Sequence, residues 1–203
     1  MADAVTERGQ QTRARIVEAM ADLARTRGVG ATTLDDVRAA TTTSKSQLFH
    51  YFPDGKAGLV RAVAQRETER VLGGQRQLLH ELDSIDGLQR WCDAIVAVQR
   101  EQACAGGCPL GSLASEVAEH DEATRELLAG SFAQWQRLLL EVLDRMQRRG
   151  ALAASTDLGR LALATVASLQ GGLLLTQVSR STEPLEAALA AAIAHIASCG
   201  DPA

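Results

Sequence analysis

Apolar residues recur along this chain at intervals of three and four from near its start to near its end, the spacing that puts side chains on one face of an α-helix. Ile16, Met20, Leu23 and Arg27 fall at that spacing, widened by Val17 and Ala24, and Gly28 is placed to end a first helix in the left-handed conformation. Thr33 caps a short second helix over "LDDVRAA", with Leu34 and Val37 as its buried side and Asp35 and Asp36 at its positive N-terminal end. Ser44 and Gln47 form a Ser-x-x-Gln capping box that opens a third helix, which Pro53 stops after little more than two turns. Leu48 and Phe52 share one face of it. Asp54 caps a fourth helix from about Lys56 to residue 80, loosened at "LGGQRQ". Further helices follow over 84–103, Leu110 to Glu119, Asp121 to Gly150, 156–180 and 184–198. The clearest period is Leu128, Phe132, Trp135, Leu139, Val142 and Met146. No β-branched or aromatic run of strand length interrupts this series, so the expectation is an all-α protein of about nine helices, preceded by a loose arm over residues 1–9.

Charge divides what hydropathy leaves uniform. Residues 1–56 carry eight basic and seven acidic side chains, the remainder thirteen and eighteen. Within the first part, Arg8, Arg13 and Arg15 stand together without an acid, and Lys45, Lys56, Arg61 and Arg66 face only Asp54 over residues 44–66. Local positive charge on a chain of net charge −4 points to an anionic partner for the N-terminal part alone. The rings are concentrated there too: three of the six aromatic residues, Phe49, Tyr51 and Phe52, lie in "TSKSQLFHYFPDGK". Leu48 and Phe52 read as anchors, and Phe49 more readily as core than as surface. Lys45, Ser46, Gln47, His50 and Tyr51 spread over the other faces. Two short helices joined by a tight turn form a helix-turn-helix, whose second helix fits the major groove of duplex DNA.

"TLDDVRAATTTSKSQLFHYFPDGKAGLVRAV" resembles the DNA-binding motif of the tetracycline-repressor (TetR) family of bacterial transcription regulators. The resemblance covers about residues 10–62. It implies a helix-turn-helix DNA-binding domain over 1–56, a larger helical effector-binding and dimerisation domain over 57–203, and DNA contacts from Thr33, Ser44, Lys45, Ser46, Gln47, His50, Tyr51 and Lys56. Tyr51 and Lys56 are then phosphate clamps, and Gln47 suits an adenine edge. The chain departs from the family at Thr42-Thr43, where Gly-Val is usual. A β-branched residue is costly at positive φ, so a reshaped turn and a shifted recognition helix are expected.

"CPLGSLASE" and "SLQGGLLL" resemble the C-terminal domain of the LmrA/YxaF-like branch of the same family. That likeness implies a cavity for a small apolar or aromatic effector, with Trp91, Ile95, Cys104, Leu110, Leu113, Phe132, Trp135, Gln170 and Leu174 as lining candidates, although ordinary core packing suits each of them as well. It also implies a homodimer through the last two helices, which the small side chains of Ala162, Ala164, Ala167, Gly171, Gly172 and the alanines of 187–194 would permit. The reading is a homodimeric repressor released from a palindromic operator by its effector. Two alternatives stay open: a thiol-based redox-sensing regulator using Cys104 and Cys108, and a helical interaction protein without DNA binding. No activated nucleophile, paired acids, metal-ligand spacing or phosphate loop is recognisable, so no enzyme, metal or cofactor is expected. Without a signal peptide or a convincing spanning segment, a cytoplasmic protein with no membrane partner is expected.

Overall fold

A computed structural model describes residues 7–200, and among them the chain forms nine helices and no strand. These are α1 (Glu7–Arg27), α2 (Leu34–Thr41), α3 (Lys45–Tyr51), α4 (Gly55–Leu79), α5 (Ile85–Glu101), α6 (Pro109–Val117), α7 (Glu122–Arg148), α8 (Leu158–Ser179) and α9 (Glu183–Ser198). The all-α expectation holds. Of the expected arm, residues 1–6 lie outside the described residues, and Glu7, Arg8 and Gly9 already belong to α1.

The described residues divide into two compact units: 7–68 with 113–128, and 69–112 with 129–200. The first unit is centred on Ile16 and Met20 of α1, Val37 of α2, Leu48 of α3 and Leu59 of α4, each at most 1% exposed. Gly28 ends α1 at φ +83°, and its N–H donates to the Ala24 carbonyl at 2.8 Å. At the start of α7, the Asp121 carboxylate accepts the Thr124 N–H at 3.1 Å and its hydroxyl at 2.8 Å, so the expected cap is in place.

In the second unit the end of α4 does not loosen at Gly73-Gly74. It stays helical to Leu79 because its last turns are held from outside. Gln75 accepts the Trp91 indole N–H at 2.8 Å, and the Arg145 guanidinium donates to the carbonyls of Leu79 and Leu82, both at 2.9 Å. The Leu79 carbonyl, at the helix end, also accepts the Leu82 N–H at 3.3 Å, so Arg145 ties the last turn of α4 to the residues that follow it. Helices α8 and α9 pack tightly against each other. A Cβ on Gly172 would lie 3.0 Å from the Leu185 Cα and 3.2 Å from the Ala188 Cβ, and the Leu185 N–H donates to the Thr176 hydroxyl at 3.2 Å. A methyl group at 172 would therefore have to push the Leu185 backbone away by a few tenths of an ångström. Helix α8 is long and apolar enough to cross a bilayer, with 44% of that stretch buried within the protein, while Leu163, Leu174, Leu175 and Val178 are exposed.

Candidate nucleic-acid interface

Helix α3 has seven residues and buries one of them, Leu48. A helix this short does not form on its own propensity; its ends hold it. Ser44 accepts the Gln47 N–H on its hydroxyl at 3.1 Å, and Gln47 returns its Oε1 to the Ser44 N–H at 3.1 Å, completing the box the sequence showed. At the other end the Phe52 N–H donates to the Leu48 carbonyl at 2.9 Å, and the Phe52 ring is 3% exposed. Phe49 departs from its expected place. It is 40% exposed, because a two-turn helix resting on Leu48 turns the next position outward.

The second helix is fixed in the same way. Thr33 and Asp36 exchange bonds, with the Asp36 Oδ2 accepting the Thr33 N–H at 2.8 Å and its hydroxyl at 2.6 Å. Those bonds, reinforced by Arg27 at 3.7 Å, hold the Asp36 carboxyl below its ordinary range. Between the two helices Thr42 takes the left-handed conformation at φ 51°, ψ 38°. The turn is thus not reshaped to spare the threonine. Its N–H and that of Thr43 both donate to the Arg38 carbonyl, which pins the backbone in a conformation costing an L-residue about 1–2 kcal/mol.

Of the expected DNA contacts, Thr33, Ser44, Lys45, Ser46, Gln47 and His50 are exposed, while Tyr51 and Lys56 are half-buried. The hydroxyls of Thr33 and Ser44 and the Oε1 of Gln47 are engaged in caps, which hold the Gln47 side chain at the start of α3 while its Oε1 keeps a second lone pair. His50 and Tyr51 meet edge to face, 5.0 Å between ring centres. Lys56 extends its Nζ to the Gly30 carbonyl at 3.2 Å. Arg13, one of the basic run Arg8, Arg13 and Arg15 that points to an anionic partner, lies with its guanidinium 5.2 Å from the centre of the Phe52 ring. It lines a concavity of about 220 Å³ together with Tyr51, Phe52 and Arg61. Asp54 lines it too and pairs with Arg61 at 3.4 Å, which leaves Arg13 as the guanidinium of this concavity without an acid beside it in the same lining. Charge alone placed Arg13 in a basic run; its position over Phe52 was not readable from spacing.

The nine effector candidates are dispersed. Leu113 is buried in the first unit, and the other eight lie in the second. Trp91, Ile95, Cys104, Leu110 and Trp135 are buried, and Phe132 and Gln170 half-buried. Gln170 sits close to Gly111, where a Cβ would meet its Oε1 at 3.0 Å. The Trp135 indole N–H and the Gln99 Oε1 are buried without a hydrogen-bond partner. Leu174 departs from the group. It is 61% exposed, on the outward stripe of α8 with Leu163 and Val178, because four- and three-residue steps from Leu163 return to the same face. A concavity of about 330 Å³ between α5 and α9 is lined by other residues, among them Cys92, Val96, Leu189 and the Arg100–Glu186 ion pair at 2.6 Å. Cys104 and Cys108 are both buried, and burial pushes the Cys108 thiol up. That environment opposes the thiolate a redox sensor needs, so the thiol alternative is not favoured.

Residues 16–63 match the family model described as bacterial regulatory proteins, tetR family, and residues 84–192 match that of the tetracyclin repressor-like C-terminal domain. Among curated relatives, an uncharacterised helix-turn-helix-type transcriptional regulator of Lactococcus lactis is 28% identical over 182 residues, covering 87% of this chain and 89% of the relative. The transcriptional regulator LmrA of Bacillus subtilis is 25% identical, covering 93% and 94%. A TetR-family regulator of known structure from Cytophaga hutchinsonii superposes with a TM-score of 0.83 at 18% identity, over 98% of this chain and 99% of that one.

Proposed function

The chain belongs to the TetR family of bacterial regulatory proteins and is a helix-turn-helix transcriptional regulator; on that premise we propose that it is a homodimeric repressor released from a palindromic operator by a small, mostly apolar or aromatic molecule. The observation that carries this reading is α3 itself, which buries one leucine and turns Lys45, Ser46, Gln47 and His50 to solvent. Lys56, Tyr51 and Arg13 bind phosphates, and Gln47 reads a base edge. DNA reading belongs to residues 1–56, and effector binding and dimerisation to residues 57–203. The second copy covers the outward stripe of α8 (Leu163, Ala167, Gly171, Leu175 and Val178), together with the exposed alanines of α9. Two α3 helices about 34–36 Å apart then meet successive major grooves. The unpartnered Trp135 N–H offers a donor to one polar atom of the effector. An operator partner places the protein in the cytoplasm.

The test is a titration of Lys56→Ala and Gln47→Ala against a duplex selected by the wild-type protein from random DNA, and against a scrambled duplex, each at two salt concentrations. Lys56→Ala should weaken binding to both duplexes alike and reduce the salt slope by about one per half-site, whereas Gln47→Ala should relax base preference at one position. Equal losses for both variants on every sequence would overturn this sorting of contacts.

A further inference from the structure

Glu116, near the end of α6, grips a turn 87 residues away in sequence. Its Oε2 accepts the N–H of Val29 at 2.6 Å and that of Gly30 at 3.3 Å. The same oxygen comes so close to Gly28 that a Cβ there would lie 3.0 Å from it. On the far side of the turn the Gly30 carbonyl accepts the Lys56 Nζ at 3.2 Å. One three-residue turn thus has an anion on its amides and a cation on its carbonyl.

We propose that Glu116 is a positioning residue for DNA recognition: by holding the 28–30 turn it fixes the connection between α1 and α2 and presents the carbonyl along which Lys56 is extended. The role rests on the DNA-binding reading above. Three features make the turn a lever. Val29 is 6% exposed and Thr32, two residues beyond the turn, 0%, so the turn is anchored on the core of the first unit through Val29 while Gly30 stays exposed. The Thr32 hydroxyl donates to the Gly28 carbonyl at 2.8 Å, and the next residue, Thr33, caps α2, so a shift of the turn shifts the start of the helix-turn-helix. The Val29 amide is half-buried and needs an acceptor, and a carboxylate supplies a stronger one than water or a neutral group. Glu116 itself rides on α6, which starts at Pro109 directly after a loop holding four left-handed residues, Ala103, Cys104, Gly106 and Gly107. Within the first unit, Glu116 thus ties residues 113–117 of α6 to the turn that precedes α2.

The experiment compares wild type, Glu116→Ala, Glu116→Gln, Lys56→Ala and the Glu116→Ala/Lys56→Ala double variant on the duplex selected by the wild-type protein, alongside amide hydrogen exchange without DNA. In Glu116→Ala, exchange at Val29 and Gly30 should accelerate and duplex affinity should fall, each about tenfold. Glu116→Gln, which keeps one neutral acceptor, should fall between. The double variant should lose less than the product of the two single losses, because Glu116 acts in part through Lys56. Unchanged exchange at both amides, wild-type affinity in Glu116→Ala, or losses that simply multiply would each overturn the role. A wild-type protein that selects no duplex at all sinks the DNA-binding reading and this role with it. A wild type that binds, beside a Glu116→Ala variant that binds equally well, sinks only the clamp.

Discussion

Helices α3 and α8 both leave a long face uncovered, and they do so with opposite chemistry. The exposed side of α3 carries Lys45, Ser46, Gln47 and His50; that of α8 carries Leu163, Leu174, Leu175 and Val178, the last 75% exposed. Polar groups waiting for a partner lose nothing in water. Large aliphatic side chains do, since each gains about 1.5–3 kcal/mol when fully buried. The contrast separates two kinds of contact. The face of α3 suits a partner that comes and goes, and the face of α8 suits one that stays. The two helices are also held differently. Helix α3 depends on its caps and on one leucine, whereas α8 buries eight residues and is closed against α9 at Gly172.

The largest effect that would break this contrast is expected on α8. A Leu175→Glu/Val178→Glu variant places two carboxylates per copy in the proposed interface, and symmetry doubles them. The dimer should be absent at micromolar concentration by sedimentation, a weakening of at least about 1,000-fold, because an unpaired charge in an apolar interface costs several kcal/mol. A variant that still sediments as a dimer would show that this face is not the one that stays covered.

A smaller effect sharpens the other side of α8. Gly172→Ala adds a methyl group 3.0 Å from backbone at Leu185, so the two helices must part. The loss should be about 1–3 kcal/mol in urea unfolding, against the gain of about 1 kcal/mol that alanine brings to an open helical site. Gly73, in α4, is such an open site, with nothing within 4 Å of an added Cβ. Gly73→Ala should stabilise where Gly172→Ala destabilises. Matching signs would mean that Gly172 serves no close approach.

Local signals carried the architecture. Ser44, Thr33 and Asp121 each mark a helix start through their own side chains, and Gly28 and Gly150 mark ends through positive φ. These are interactions over three or four residues, which a sequence displays directly. The site was less visible because its geometry depends on distant partners. Lys56 was recognisable as a cation, but its tie to Gly30, and the tie of that turn to Glu116, join segments 26 and 86 residues apart with no periodicity to announce them. Phe49 and Leu174 were misplaced for a related reason. Apolar character identifies a residue that can be buried, while the direction of a helix against its neighbours decides whether it is. The continuity of α4 through Gly73-Gly74 likewise came from outside, from Trp91 and Arg145.

The smallest expected effect lies in the turn that distinguishes this chain from the family pattern. Thr42 is left-handed, and a β-branched side chain there costs about 1–2 kcal/mol relative to glycine. Thr42→Gly removes that strain but gives the unfolded chain about 0.5–1 kcal/mol more conformational entropy to lose. The net gain should be no more than about 1 kcal/mol, seen as a higher urea midpoint with an unchanged slope. Duplex affinity should stay at its wild-type value, because the Arg38 carbonyl already holds the amides of residues 42 and 43 where a glycine would place them. A large rise in affinity would mean that the threonine displaces α3 after all, and that the reading helix of this protein sits off the position its caps define.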